Sequence, residues 1–68
     1  MDDAVYKHIN IVGTSTQSVE GAIEGAVAKA AETVKNISWF EVVDIRGHIE
    51  NGKVRHYQVG VKLGFRLD

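Results

Sequence analysis

Between residues 38 and 67 the chain alternates apolar and polar side chains twice over, and the two runs meet at Glu50-Asn51-Gly52-Lys53. Asn-Gly between extended runs is the strongest short-range signal for a β-hairpin, because both residues tolerate the positive φ that a tight reversal demands. Strands are therefore predicted over 38–50 and 53–67. Their faces sort by parity. Along 38–50, Trp39, Val43, Ile45 and Ile49 are odd, whereas Asp44, Arg46, His48 and Glu50 are even. Along 53–67, Tyr57, Val59, Val61, Leu63, Phe65 and Leu67 are odd; His56, Gln58, Lys62 and Arg66 are even. A plain two-residue loop would pair Glu50 with Lys53 and set apolar positions opposite polar ones along the whole ladder. The expectation is a three-residue turn with Gly52 left-handed and a G1 bulge, or a compensating bulge nearby.

Upstream, residues 4–12 read as a first strand, with Val5, Ile9 and Ile11 on one face and Tyr6, His8 and Asn10 on the other. Gly13 is expected to break it, and Ser15 or Ser18 to cap the helix that follows. From about 17 to 36 the period becomes 3.6, with Val19, Ala22, Ile23, Ala26, Val27, Ala30 and Val34 on one narrow stripe of small side chains. Gly21 and Gly25 each disfavour a helix interior by roughly 1 kcal/mol against Ala, which points to a close neighbour there, another element or another subunit. The fold class is then α+β in the order β-α-β-β: one helix on the odd face of a three-stranded antiparallel sheet, a single domain over residues 1–68. The even face is left to Asp44, Arg46, His48, His56, Gln58, Lys62 and Arg66, interrupted by Gly60 and Gly64. Glycines inside strands mark a bend or a close approach.

A chain of 68 residues buries only about 60% of the surface its unfolded form exposes. With no cysteine, neither disulfides nor a Cys-based zinc site can staple it, so very good packing or self-assembly must compensate. The net charge of −1 gives no general pull toward nucleic acid or a membrane surface. No apolar run approaches membrane-spanning length and the N-terminus lacks a signal-peptide pattern, so a cytoplasmic location is expected. A mild basic bias lies in the C-terminal half, with six Lys/Arg against four acids over 35–68. It suits a phosphate-bearing ligand, and ordinary cross-strand ion pairing accounts for it equally well.

Catalytic signals are absent: no glycine-rich phosphate loop, triad motif or HExxH occurs, and the three histidines lack metal-ligand spacing. His48 and His56 lie on facing strands within reach of Asp44. Binding fits the residues better. A flat, electron-poor aromatic ring with a polar edge needs a stacking plate and a side-chain amide that both donates and accepts; Trp39 and Gln58 supply them.

Trp39-Phe40-Glu41-Val42, Ile45-Arg46-Gly47-His48, Tyr57-Gln58-Val59 and Gly64-Phe65-Arg66-Leu67, preceded by Ile11-Val12-Gly13-Thr14-Ser15, resemble the dodecins, small bacterial and archaeal flavin-binding proteins. The resemblance spans nearly the whole chain in the same order and at family-like spacing. It implies a hollow homo-dodecamer of cubic symmetry, with pairs of flavins stacked at two-fold contacts between the tryptophans of neighbouring subunits. Trp39 would be the stacking partner and Gln58 would bond the pyrimidine edge. Arg46 matches a family position beside the flavin, and Asp44 a variable one where a polar group reaches the ribityl chain. Arg66, with Lys7 next, is the weaker candidate for a phosphate; an Arg grips phosphate through two parallel bonds, which favours FMN over riboflavin.

The function so implied is flavin storage or sequestration with photoprotective quenching, and not enzymatic turnover, because a ring covered on both sides leaves no room for substrate. A second ligand such as a coenzyme-A-type nucleotide stays open. Two other classes compete. One is a structural assembly subunit with an incidental ligand. The other is a nucleic-acid-binding β-α-β-β module, disfavoured by the missing pair of sheet-face aromatics and the negative charge.

Overall fold

In a computed structural model describing residues 3–68, the chain runs β1 (Tyr6–Ser15), α1 (Val19–Ala31), β2 (Ile37–Glu50) and β3 (Lys53–Arg66). The sheet is antiparallel in the order β1-β3-β2, so both outer strands pair only with β3. Extended Ser18 is the helix cap, its hydroxyl accepting from the Gly21 N–H at 2.9 Å. Ser15, the other candidate, holds the loop ahead of the helix by accepting from the N–H groups of Gln17 (3.0 Å) and Ser18 (3.2 Å). The helix stops at Ala31, short of the predicted 36, and the chain leaves through left-handed Asn36 (φ 66°). Asn is among the few non-glycine residues that adopt this conformation readily.

Gly13 does not end the first strand. β1 continues through it to Ser15, in register with Val59 to Tyr57. A side chain at Gly13 would collide with the backbone carbonyl of Ala22, and this contact lets the helix sit down on the sheet. Gly21 lies against the hydroxyls of Ser15 and Ser18, and Gly25 faces open space. The close approach expected at Gly21 and Gly25 is therefore found at Gly21, against Ser15 of β1, and not at Gly25; a tighter one occurs where Gly13 meets Ala22. Around it the core gathers Ala22, Ala26, Val59, Val61 and Leu63, flanked by Ile9, Ile11, Val19, Ile23 and Val27.

Glu50 pairs directly with Lys53, and Asn51 (φ 55°) and Gly52 (φ 73°) form a two-residue reversal of the I′ kind. The three-residue turn is absent; the compensating bulge is present. His48 pairs with His56 and Ile49 with Val54, leaving Arg55 as the extra residue. Odd positions then face odd ones as far as Ile45↔Val59 and even ones even as far as Asp44↔Gly60, where a second irregularity inserts Val43; a third inserts Ser38 between Ile37↔Phe65 and Trp39↔Gly64. Between these two insertions the parity of β2 is reversed relative to β3. Phe40 and Val42 share the helix side with Leu63 and Val61, and Trp39 and Glu41 face the other way. Trp39, assigned by parity to the helix-facing side, stands on the opposite one.

Helix α1 packs on β1 and β3 and leaves β2 uncovered: every residue from Ser38 to Glu50 is exposed. The subunit exposes 5173 Å², several hundred Å² more than the roughly 4,200 Å² of a compact monomer of this mass. Its radius of gyration is 14.2 Å against about 11 Å for a compact domain of this length. The long hairpin stretches the molecule to 56 Å. An apolar strand left open along its length is the mark of a subunit rather than a finished globule.

Candidate functional site

The helix-free face of the sheet is ordered in cross-strand rows. From one end they are Tyr6–Arg66, His8–Gly64–Trp39, Asn10–Lys62–Glu41, Val12–Gly60–Asp44, Thr14–Gln58–Arg46 and His56–His48. The bulge at Ser38 turns Trp39 onto this face, and Gly64 opposite it lacks a side chain. The indole lies across Gly64 in van der Waals contact, over the space a Cβ would fill. Gly64 is buried and Trp39 stays 40% exposed, so the ring is seated from beneath and open above. That is the geometry of a stacking plate.

Gly60 repeats the device for a carboxylate. The bulge at Val43 brings Asp44 over Gly60, whose N–H donates to Asp44 Oδ1 at 3.2 Å. Arg46 Nη2 donates to Asp44 Oδ2 at 2.8 Å, and Arg46 is the register partner of Gln58. Asp44, Arg46 and the Gln58 amide thus form one polar patch, with Asp44 fixed by two donors. Both members of the ion pair are about half exposed, so it orients the side chains more than it stabilises the fold.

Trp39 and Gln58 do not meet within one subunit. Gln58 lies six residues along β3 from Gly64, roughly 20 Å at strand rise. An ion pair between Lys62 and Glu41 (3.8 Å) occupies the row between the two patches. Within one copy the indole and the amide therefore stand in separate rows, with the Lys62 and Gly60 rows between them. Arg66 shares the face of Trp39, two residues beyond Gly64, and has no ion pair among the described residues. Lys7 pairs with Phe65 and so stands on the helix side, apart from the others. His48 and His56 stack with ring centres 5.6 Å apart; Asp44, held by Gly60 and Arg46, is not with them.

A shallow depression at the hairpin tip, about 650 Å³ and lined by Thr16, Glu50, Asn51, Lys53, Val54, Arg55 and His56, is the roomiest concavity described. It offers no indole, phenol or phenyl ring, and the flat face around Trp39 is the better candidate on chemistry. No helix among the described residues is long and apolar enough to cross a membrane, and no group of three or more His, Asp or Glu is placed to hold a metal ion. The seats beneath Trp39 and Asp44 were signalled in the sequence by Gly60 and Gly64, whereas the bulges that bring those side chains to them were not.

Residues 5–68 match the family model described as Dodecin. The dodecin of Thermus thermophilus is 47% identical over 64 residues, covering 94% of this chain and 93% of that protein. A dodecin structure from Streptomyces coelicolor superposes with a TM-score of 0.92 at 47% identity, covering 100% of this chain and 97% of the other. A crystal structure of a T. thermophilus dodecin variant, in which a tryptophan is replaced by phenylalanine, gives 0.91 at 44% identity over 97% and 98% of the two chains. With a match over nearly its whole length and a shared β-α-β-β fold, this chain belongs to the dodecin family.

Proposed function

We propose that the protein is a homo-oligomeric flavin-binding protein that stores and shields its ligand. The observation that carries this reading is the Trp39 indole seated on Gly64 with its outer face open. An isoalloxazine ring stacks on such a plate, and the Gln58 amide matches its pyrimidine edge. Because plate and amide lie roughly 20 Å apart on one strand, the binding slot is formed between copies, with Trp39 from one and Gln58 from another. A two-fold contact does this naturally, since Trp39 of each copy can then meet Gln58 of the other. The uncovered side of β2 supplies the apolar surface for assembly, and twelve subunits is the number the family resemblance implies.

Arg46, held by Asp44, borders the ring, and Asp44 keeps lone pairs for a ribityl hydroxyl. Arg66 is the cation available for a phosphate, so FMN is the expected ligand ahead of riboflavin. Lys7 reaches a phosphate only if a neighbouring subunit presents it. Once the ring is covered on both sides, substrate has no access to it, and the role is to hold flavin and quench its excited state rather than to turn over.

Purified protein should carry flavin absorbance, and chromatography of the released ligand should identify it. Stacking contributes roughly 0.5–1.5 kcal/mol beyond simple burial, and burial of the ring adds to that. A neutral hydrogen bond contributes about 0.5–1.5 kcal/mol. In a fluorescence titration Trp39→Ala should therefore lose more affinity than Gln58→Ala. It alone should leave the bound flavin bright, because the quenching indole is gone. A Trp39→Ala protein that assembles and binds flavin as tightly and as darkly as the parent would sink the stacking role.

A further inference from the structure

From the facing imidazoles of His48 and His56 we infer a site for a transition-metal ion such as Zn²⁺ or Ni²⁺, in the row next to Gln58 and Arg46 and using neither of them. The two residues are direct register partners across β2 and β3, and their rings stand side by side, 5.6 Å between centres and 19° between planes. With metal–nitrogen bonds of about 2.0–2.1 Å, two imidazoles meeting one ion at a tetrahedral angle hold their ring centres roughly 5 Å apart. The ring centres therefore already stand near the spacing that chelation needs, and the stacked rings must turn so that one nitrogen of each points at a common ion. Such rotation is a side-chain torsion at an exposed His48 and a half-buried His56.

The electrostatics of the neighbourhood permit a cation. Arg46, in the next row, is paired with Asp44 at 2.8 Å, and Arg55, the bulge residue beside His56, is paired with Glu50 at 3.3 Å. No third His, Asp or Glu completes a ligand set among the described residues, so water fills the remaining positions and binding falls in a modest range. Neutral imidazole pairs select Zn²⁺, Ni²⁺ or Cu²⁺ and do not attract Ca²⁺, which takes oxygen ligands. The bulge at Arg55 is what sets the two histidines directly opposite each other; a hairpin continued from Glu50↔Lys53 without it would pair His48 with Arg55.

The test is titration of the assembled protein with Zn²⁺ or Ni²⁺ against a chromogenic chelator, together with an X-ray absorption spectrum of the zinc-loaded parent. Expected are one saturable site per chain, at least two imidazoles in the zinc shell, and no competition by Ca²⁺. His48→Gln and His56→Gln should each weaken binding by about tenfold or more, because one nitrogen and the chelate are lost together. His8→Gln should bind as the parent does, since His8 lies in the Gly64 row, about 25 Å along the sheet from His56. Absence of saturable binding, fewer than two imidazoles per zinc, or unchanged affinity in both hairpin variants would overturn the assignment. The spectrum of the parent decides the matter even where a variant fails to fold.

Discussion

Replacing Gly64 with Ala tests whether the seat of the indole matters as much as the indole itself. The backbone at Gly64 is outside the left-handed region, so alanine adds no torsional strain there. Its methyl, however, would occupy the space taken by the benzene half of the Trp39 ring system. The ring is the movable partner and must swing away. With 40% of Trp39 exposed, roughly 150 Å² of it is buried, and exposing all of that would disfavour the fold by at most about 4 kcal/mol. Most of the ring can settle again on neighbouring sheet surface, so a loss of about 1–2 kcal/mol is expected, within the usual range for overpacking. The larger consequence is for stacking: a plate pushed off the sheet no longer lies parallel to its ligand. Loss of the 0.5–1.5 kcal/mol stacking component corresponds to roughly 2- to 10-fold weaker flavin binding. Urea unfolding at fixed protein concentration and a flavin fluorescence titration read the two effects separately. If Gly64→Ala binds flavin with the parent's affinity and darkness, the seat is irrelevant and the contact between Gly64 and Trp39 is mere filling.

Glycines of the other elements should respond in opposite directions. Gly13→Ala sets a methyl against the fixed backbone carbonyl of Ala22, where no rotamer offers relief, and should lower stability by about 1–3 kcal/mol or more; Gly25→Ala points into open space and should raise it by up to about 1 kcal/mol through helix propensity. Urea midpoints at matched concentration check both, and a Gly25→Ala variant that fails to assemble would show that a neighbouring subunit packs there. Val42→Glu, on the uncovered helix side of β2, should split the assembly into smaller species by light scattering, and an unchanged molar mass would remove β2 from the interface.

The β-α-β-β order, the helix stripe and a cap at Ser15 or Ser18 were readable in the sequence because each rests on local chemistry: a period, a hydroxyl, an Asn-Gly reversal; that Ser18 is the cap was not. Facing of β2 was not. Parity assumes an uninterrupted pleat, and insertions at Ser38 and Val43 reverse it for the segment between them. A trace was present, since alternation fails at the apolar doublets Trp39-Phe40 and Val42-Val43. The cross-strand parity conflict around the reversal did announce the bulge at Arg55. For the candidate site, residue types named the plate and the amide, and Gly60 and Gly64 marked the seats. The distance between Trp39 and Gln58 and the placement of Lys7 on the far face depend on register, which residue types alone do not fix.

Strand order has a consequence for how the chain is made. β3 lies in the middle of the sheet yet follows β1, α1 and β2 in the chain, and neither outer strand has any other partner within the subunit. During synthesis the helix and both outer strands therefore leave the ribosome with nothing to pair against, the apolar side chains of β2 in the open. The sheet closes only when Val59, Val61 and Leu63 arrive; the β2–β3 ladder grows from the reversal at Glu50↔Lys53, whereas every β1–β3 pair, from Ser15↔Tyr57 to Tyr6↔Arg66, joins residues far apart in the chain. Local hairpin zipping from Asn51-Gly52 is the fast step, and docking of β1 onto the completed hairpin is the slow one. A nascent chain stalled before Lys53 holds every element except the strand that joins them.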